Sequence, residues 1–244
     1  MKAIFKREFE SYFKSPIGYV FISLFFVFSS LLFFTFNVGY GTTIMTNYFM
    51  SVYYIFIISV PILTMKMFSE ERKLKTDQLL LTAPVDVHEI VLGKFFAAML
   101  VMAIAICSTF IYFIFMRIYG NPAILQSLVG YLGILLYGVM LISIGMFISS
   151  LTQSQVISAI VTLAVVGLLM FSSSLAVDFS SLFNGAFSFI GSFLNAIFNF
   201  IDINARFSDF ASGTLNLVPI IYFVSITALF VLLTIRAIER RRWR

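Results

Sequence analysis

Six stretches of this chain run for 18 to 26 residues without a single Asp, Glu, His, Lys or Arg. They are Ile17–Val38, Tyr48–Met65, Phe95–Met116, Ala123–Ile148, Val156–Val177 and Leu215–Ile235. A helix needs about 20 apolar residues to cross about 30 Å of hydrocarbon. In lipid each backbone N–H and C=O must find its partner within the protein, and a helix does so within its own segment. The runs therefore predict an all-α, polytopic membrane protein with six transmembrane helices. A mean hydropathy of +1.03 agrees with that reading, as does a charged fraction of only 11%.

Local signals mark where the spans begin. Ser15-Pro16 opens the first and Asn121-Pro122 the fourth, proline suiting a first helical turn. Pro61 is expected to kink the second span, and Pro219 lies in the first turns of the sixth. The first apolar run is span-length, so it reads as a real helix and not as a cleavable signal. Cys107, the one cysteine, reads as a small packing residue. Glycines 130, 133, 138 and 145 in span four offer close-packing surfaces, as do Ser158, Ala159, Ala164 and Gly167 in span five. Packing within the chain is the preferred use of them.

Direction follows from the bases. With six spans, fourteen of the sixteen Lys and Arg residues fall on one side, leaving only Arg117 and Arg206 on the other. Both termini are then cytoplasmic. The same clustering at membrane edges removes any nucleic-acid reading of the net charge of +5. Residues 1–15 form a second kind of element, an amphipathic helix. Phe5, Phe9, Tyr12 and Phe13 share one face, while Lys6, Glu10 and Lys14 share another with two possible ion pairs. It is expected to lie on the inner membrane surface, its bases near anionic lipid. Residues 178–214 are expected to form an extracytoplasmic insertion. Within it, Leu182–Ile201 carries an Asn, Ser and Gly stripe opposite a Phe, Ile and Leu stripe, the pattern of an amphipathic or re-entrant helix rather than a seventh span.

Charge-free spans exclude several activities. Ion-coupled transport generally needs ionisable groups inside the membrane. Intramembrane proteolysis needs an Asp pair, a Ser with its base, or metal ligands, and the spans offer none of these. His88 is the only histidine, and Gly93-Lys94 lacks the earlier glycine and the following Ser or Thr of a phosphate-binding loop. The sequence therefore presents no catalytic, cofactor or metal site, and any uphill transport needs energy from another subunit.

The segment 66–94 stands apart. From Ser69 to Lys94 it carries five acids and four bases between two charge-free spans. Thr76 can cap a short helix with Asp77 at its N-terminal dipole. Leu79, Leu80 and Leu81 then form an apolar knob ended by Pro84. Asp86 and Glu89 fit a capping box for a helix that runs through Lys94 into span three. Leucines exposed between charged stems are a docking surface for a soluble partner, or else fold back on the membrane.

Three segments of this loop together resemble the first cytoplasmic loop of ABC-2 type transporter permeases. They are Ser69-Glu70-Glu71-Arg72, Thr76 to Val85 (TDQLLLTAPV) and Glu89 to Lys94 (EIVLGK). The N-terminal Lys6-Arg7-Glu8-Phe9, Tyr12-Phe13 and Ser15-Pro16-Ile17-Gly18-Tyr19 look like the gliding-motility and nitrous-oxide-reductase-maturation branch of that family. The resemblance spans the chain as one permease domain, 1–244, in a bacterial or archaeal inner membrane. It implies a homo- or heterodimer of permease subunits, each docked on a cytoplasmic ATP-binding subunit that holds the ATP and Mg. It also implies that the loop helix is the coupling helix, contacting the ATPase through Glu70, Glu71, Arg72, Thr76, Asp77, Leu79, Leu80 and Leu81. The N-terminal helix would touch the ATPase too, and spans one, two and five would line the path. Two rivals are an ATP-driven component that remodels a membrane machine without carrying a solute, and a channel or scaffold without an ATPase.

Overall fold

The computed structural model describes residues 1–76, 86–171 and 202–242, with only the backbone of Arg242. The regular structure of the described residues is all helical, with no strand among them. Helix α1 is Lys2–Lys14, α2 is Pro16–Phe33 and α3 is Thr46–Thr64. A five-residue α4, Ser69–Lys73, leads toward the undescribed part of the loop. Beyond it come α5, Val87–Ser108, α6, Phe110–Tyr119, and α7, Ile124–Leu151. The last three are α8, Gln155–Met170, α9, Ile203–Ser212, and α10, Leu217–Arg242.

Five segments in the described residues are long and apolar enough to cross a membrane: Pro16–Val38, Thr46–Lys73, Val87–Tyr119, Ile124–Leu151 and Leu217–Arg241. Helix α8 is a shorter apolar helix of 16 residues, about 24 Å at 1.5 Å per residue. The rest of the run expected for the fifth span lies outside the described residues.

Each span begins and ends for a local reason. Ser15 is the N-cap of α2 with Pro16 in its first turn, but its hydroxyl turns back to the Ser11 carbonyl and makes no cap bond. Helix α2 continues as a π-helical turn, Phe34–Val38. There the Asn37 amide donates to the carbonyls of Thr42 and Ile44, at 3.2 and 3.1 Å, and closes the link to α3. Helix α3 passes through Pro61 and stops at Thr64. The third run is interrupted at Thr109, whose carbonyl accepts from the Tyr131 hydroxyl at 2.9 Å. Helix α5 does enter from the loop eight residues before Phe95, as the sequence indicates.

Helix α7 is the centre of the bundle, most of its apolar stretch being buried by the rest of the chain, whereas most of α2 is left uncovered. Its glycines make that possible. A Cβ at Gly130 would meet the Phe49 ring, at Gly133 Phe210, and at Gly145 the Thr64 side chain. These span-four surfaces are thus used within the chain. Gly167 on α8 has open space around it. Cys107 is exposed at the bundle surface and is not packed within this chain.

Two features bear on the sequence reading. Residues 203–212, part of the expected insertion 178–214, pack against α3 and α7. Asp202 caps α9 by accepting from the Ala205 N–H at 3.3 Å, and Gly213 ends it at φ 86°. Phe207 meets Tyr53 and Tyr137 at ring distances of 5.1 and 5.7 Å, while Gly213 lies against Gln126. Phe207 and Gly213 are about 9 Å apart along α9, so its contacts on α7 run from Tyr137 toward Gln126. Arg206 stacks over the Tyr222 ring at 4.1 Å, which gives a guanidinium a favourable neighbour beside apolar packing. The amphipathic segment Leu182–Ile201 lies outside the described residues.

The capping box at Asp86 does depart from the sequence reading. Asp86 is the N-cap of α5 but makes no side-chain cap bond, and Glu89 instead accepts from the Met1 ammonium at 2.9 Å. A full positive charge outcompetes a backbone N–H for that carboxylate.

Candidate functional site

The described chain brings its charged segments together at one end of the bundle. Helix α1 lies against the first turns of α5, and Gly93 lets it do so. A Cβ there would sit 3.0 Å from the Ile4 side chain and 3.4 Å from the Phe5 backbone nitrogen. Phe5, Phe9 and Phe13 are partly buried against the core; Phe5 stacks on Phe9 at 6.2 Å and Phe9 meets Phe13 edge-on at 5.0 Å. Tyr12 is buried, and its hydroxyl donates to the Leu63 carbonyl at 3.3 Å. The aromatic face of α1 is thus turned to the protein, with Tyr12 fixed on the end of α3. Of the two ion pairs expected on its polar face, Glu10–Lys14 forms at 2.8 Å, and no Lys6–Glu10 bridge occurs.

Beneath α1 lies a buried charge junction. Lys94, with 2% of its side chain exposed, holds Glu8 of α1 at 3.0 Å and Glu71 of α4 at 2.8 Å. Its ammonium also lies 5.3 Å from the Phe68 ring centroid. Arg7 adds a 2.6 Å contact to Glu8 and a longer one, 3.7 Å, to Glu71. A cavity of about 290 Å³ opens here, lined by Arg7, Glu8, Lys66, Glu70, Glu71 and Lys94 among others. The two carboxyls share one ammonium unequally. Burial works against the charge of each. For Glu8, Lys94 and Arg7 outweigh it and hold the carboxyl below its ordinary value. For Glu71, burial outweighs Lys94 and pushes the carboxyl up.

The other side of α4 is tied to α7. The Ser149 hydroxyl accepts from the backbone N–H groups of Phe68 and Ser69, at 3.1 and 3.2 Å, a cap supplied by a distant helix. Arg72 donates to the Ser150 carbonyl at 3.4 Å, and Arg241 of α10 donates to the same oxygen. The stem of the charged loop is therefore fastened to α1, α5 and α7, and shares an anchor with α10.

The residues expected to contact a partner separate in this frame. Glu71 turns inward to Lys94, and Arg72 turns to α7. Glu70 is partly covered and sits 3.7 Å from Lys66. Thr76 is exposed, its hydroxyl 3.3 Å from the Glu71 carbonyl. Asp77, Leu79, Leu80 and Leu81 lie outside the described residues. Glu8 and Lys94, which the sequence reading leaves out of the site, are its core. One signal could have found them: an acid in the N-terminal helix, and a lysine directly after a glycine at the mouth of a span. No group of acids, histidines and cysteines among the described residues could hold a metal ion.

Residues 40–243 match a family model described as ABC-2 family transporter protein. That match begins after α1 and α2. No curated protein matches the chain.

Proposed function

The chain belongs to the ABC-2 family of transporter proteins, and on that premise we propose that it is the permease subunit of an ATP-driven exporter, coupled to a separate cytoplasmic ATP-binding subunit. It is a multi-pass membrane protein and a permease component of an ABC transporter. In the proposed mechanism a second permease subunit completes the pathway. ATP and Mg act in the partner, and their cycle moves the loop at 66–94. The junction then passes that movement to α1, α5 and α7, which rock between two states.

One observation carries this reading. The loop stem is fastened by Lys94 to α1 and α5 and by Ser149 to α7, so a pull on the loop cannot stay local. The reading further holds that the chain has six spans, with both termini in the cytoplasm and α8 continuing to a full crossing. The 14-to-2 partition of bases supports this. The approach of Met1 to Glu89 and of Arg241 to Ser150 at the same end supports it as well. The placement of the family within the gliding-motility and nitrous-oxide-reductase-maturation branch rests on the N-terminal motif alone.

Coupling is tested with Leu80→Asp in the full complex. A carboxylate forced into an apolar contact costs several kcal/mol. Normal membrane insertion is expected, with loss of the co-purifying ATPase or of its stimulation. A retained complex with full activity would overturn the docking role. Topology is tested in a Cys107→Ser background with Lys2→Cys, Arg244→Cys and Gly185→Cys. Only the last is expected to react with an impermeant thiol reagent applied outside.

A further inference from the structure

The third span is not one helix. From Val87 to Tyr119 it counts 33 residues, about 50 Å if continuous, with no proline and, past Gly93, no glycine. It is broken nonetheless at Thr109. The cause is local. In a continuous helix the Ala105 carbonyl takes the Thr109 N–H. Here the Ser108 hydroxyl occupies that carbonyl at 2.7 Å, and the Thr109 N–H turns to the Ile106 carbonyl at 3.0 Å. The Thr109 hydroxyl donates to Ile106 as well, at 2.6 Å, and the Tyr112 N–H closes on the Thr109 carbonyl at 3.0 Å. Hydroxyl bonding of this kind bends helices, and a tight turn inside one marks a hinge. Two tyrosines hold the joint. Tyr131 of α7 donates to the Thr109 carbonyl and stacks on Phe110 at 4.3 Å. Tyr112 donates to the Phe26 carbonyl at 3.2 Å and stacks on Phe33 at 4.8 Å.

Beyond these clasps α6 loses support. Ile111, Ile114 and Ile118 are exposed, and Phe115 and Tyr119 line a cleft of about 270 Å³ that separates α6 from the end of α2 and its link to α3. Asn37 lines the same cleft. Its amide N–H groups are taken by Thr42 and Ile44, but its buried Oδ1 has no partner. A buried acceptor left unserved is costly. Tyr119 brings the hydroxyl that comes from α6, whereas those of Thr42 and Thr43 sit on the link itself. We propose that α6 is a lid jointed at Thr109, which closes on the link when the Tyr119 hydroxyl donates to Asn37 Oδ1. Gly120, just past Tyr119, suits that motion. It runs so close to Thr43 that a Cβ would strike the threonine side chain, so the end of the lid can ride on the link. Lys94 and Thr109 lie about 22 Å apart along α5, so a shift at the charge junction reaches the joint through one helix. That last connection rests on the coupling reading above; the lid itself does not.

The test is double electron–electron resonance between nitroxide labels on the full chain in lipid nanodiscs, in a Cys107→Ser background and with no ATPase present. Ile118→Cys with Leu151→Cys spans the lid and the far end of α7. Leu31→Cys with Leu151→Cys spans the bundle without the lid, and all three positions are exposed. The lid pair is expected to show two distances and the control pair one. Tyr119 is exposed, so Tyr119→Phe should fold as the parent does, which its thermal unfolding checks. It is expected to shift the ratio of the two distances about fivefold, the worth of one hydrogen bond. Ser108→Ala with Thr109→Ala frees the carbonyls for a continuous helix and is expected to leave one distance. A single distance from the lid pair in the parent would overturn the joint. Two distances from both pairs would show the whole bundle moving and overturn it too. A ratio unmoved by Tyr119→Phe would leave a bound water as the partner of Asn37 and overturn the latch. None of these outcomes depends on the coupling reading, which Leu80→Asp tests separately.

Discussion

Replacing Lys94 with methionine isolates the charge junction, because methionine keeps much of the volume and removes the ammonium. Two contacts at 2.8 and 3.0 Å disappear, each roughly 6 kcal/mol of attraction at an effective dielectric of about 20. Most of that is cancelled by the several kcal/mol per ion needed to take such groups out of water. What the variant reads is therefore the carboxylates left behind. Their side chains are 15% and 19% exposed, and stripping one partner from a buried pair costs about 3–5 kcal/mol. Arg7 still reaches Glu8 at 2.6 Å, so the lower end, about 3 kcal/mol, is expected. The assay is thermal unfolding of the detergent-solubilised chain beside ATPase stimulation in the reconstituted complex. Adding Glu8→Gln and Glu71→Gln should restore most of the stability, since no buried carboxylate is left without its ammonium and Arg7, which loses both partners, is 55% exposed and stays hydrated. It should not restore stimulation, since the electrostatic tie between α1, α4 and α5 is still missing. A single variant as stable as the parent would refute the energetic reasoning. A triple variant with full stimulation would refute the junction's part in coupling.

Three further outcomes follow from the packing and the charges. Gly93→Leu should push α1 off α5, since even a Cβ would stand 3.0 Å from Ile4; faster proteolysis within residues 2–14 is the readout, and unchanged protection would count against that docking. Gly133→Val should lower stability by about 1–3 kcal/mol, because its side chain would strike Phe210 of α9, whereas Gly167→Ala, with open space around it, should be neutral or stabilising by up to about 1 kcal/mol; thermal unfolding of the pair decides. The junction should also respond to acid in two opposite ways. Glu71, raised above its ordinary 4.5, takes up a proton more readily folded than unfolded, so its contribution grows as pH falls through the raised value. Glu8, lowered from 4.5, contributes stability that is present above 4.5 and is lost as pH falls through its own lower value. Unfolding temperature followed from neutral pH downward should lose the Glu8 contribution only below 4.5, and Glu8→Gln should remove that acid limb.

Much of the architecture was readable along the chain because hydrocarbon selects on a one-dimensional property. A run such as Ala123–Ile148 is a span by length and apolarity wherever its neighbours stand, and the helix found there, Ile124–Leu151, agrees closely. Small residues at 130, 133 and 145 could likewise be read as contact points. Which partner each meets (Phe49, Phe210 or Thr64) depends on how the helices stack. The same limit explains α9. Ten residues between Asp202 and Gly213 carry an N-cap and a C-terminal glycine that any reader can see, but their place against α3 and α7 is decided by the aromatic space around Tyr53 and Tyr137. Capping logic paired Glu89 with Asp86 because they are neighbours in sequence, while Met1, 88 residues away, is the stronger donor. Lys94 looked like one more base at a membrane edge. Only folding makes it the buried ion between Glu8 and Glu71, because the energy of a charge depends on what surrounds it in space and not on what precedes it in the chain.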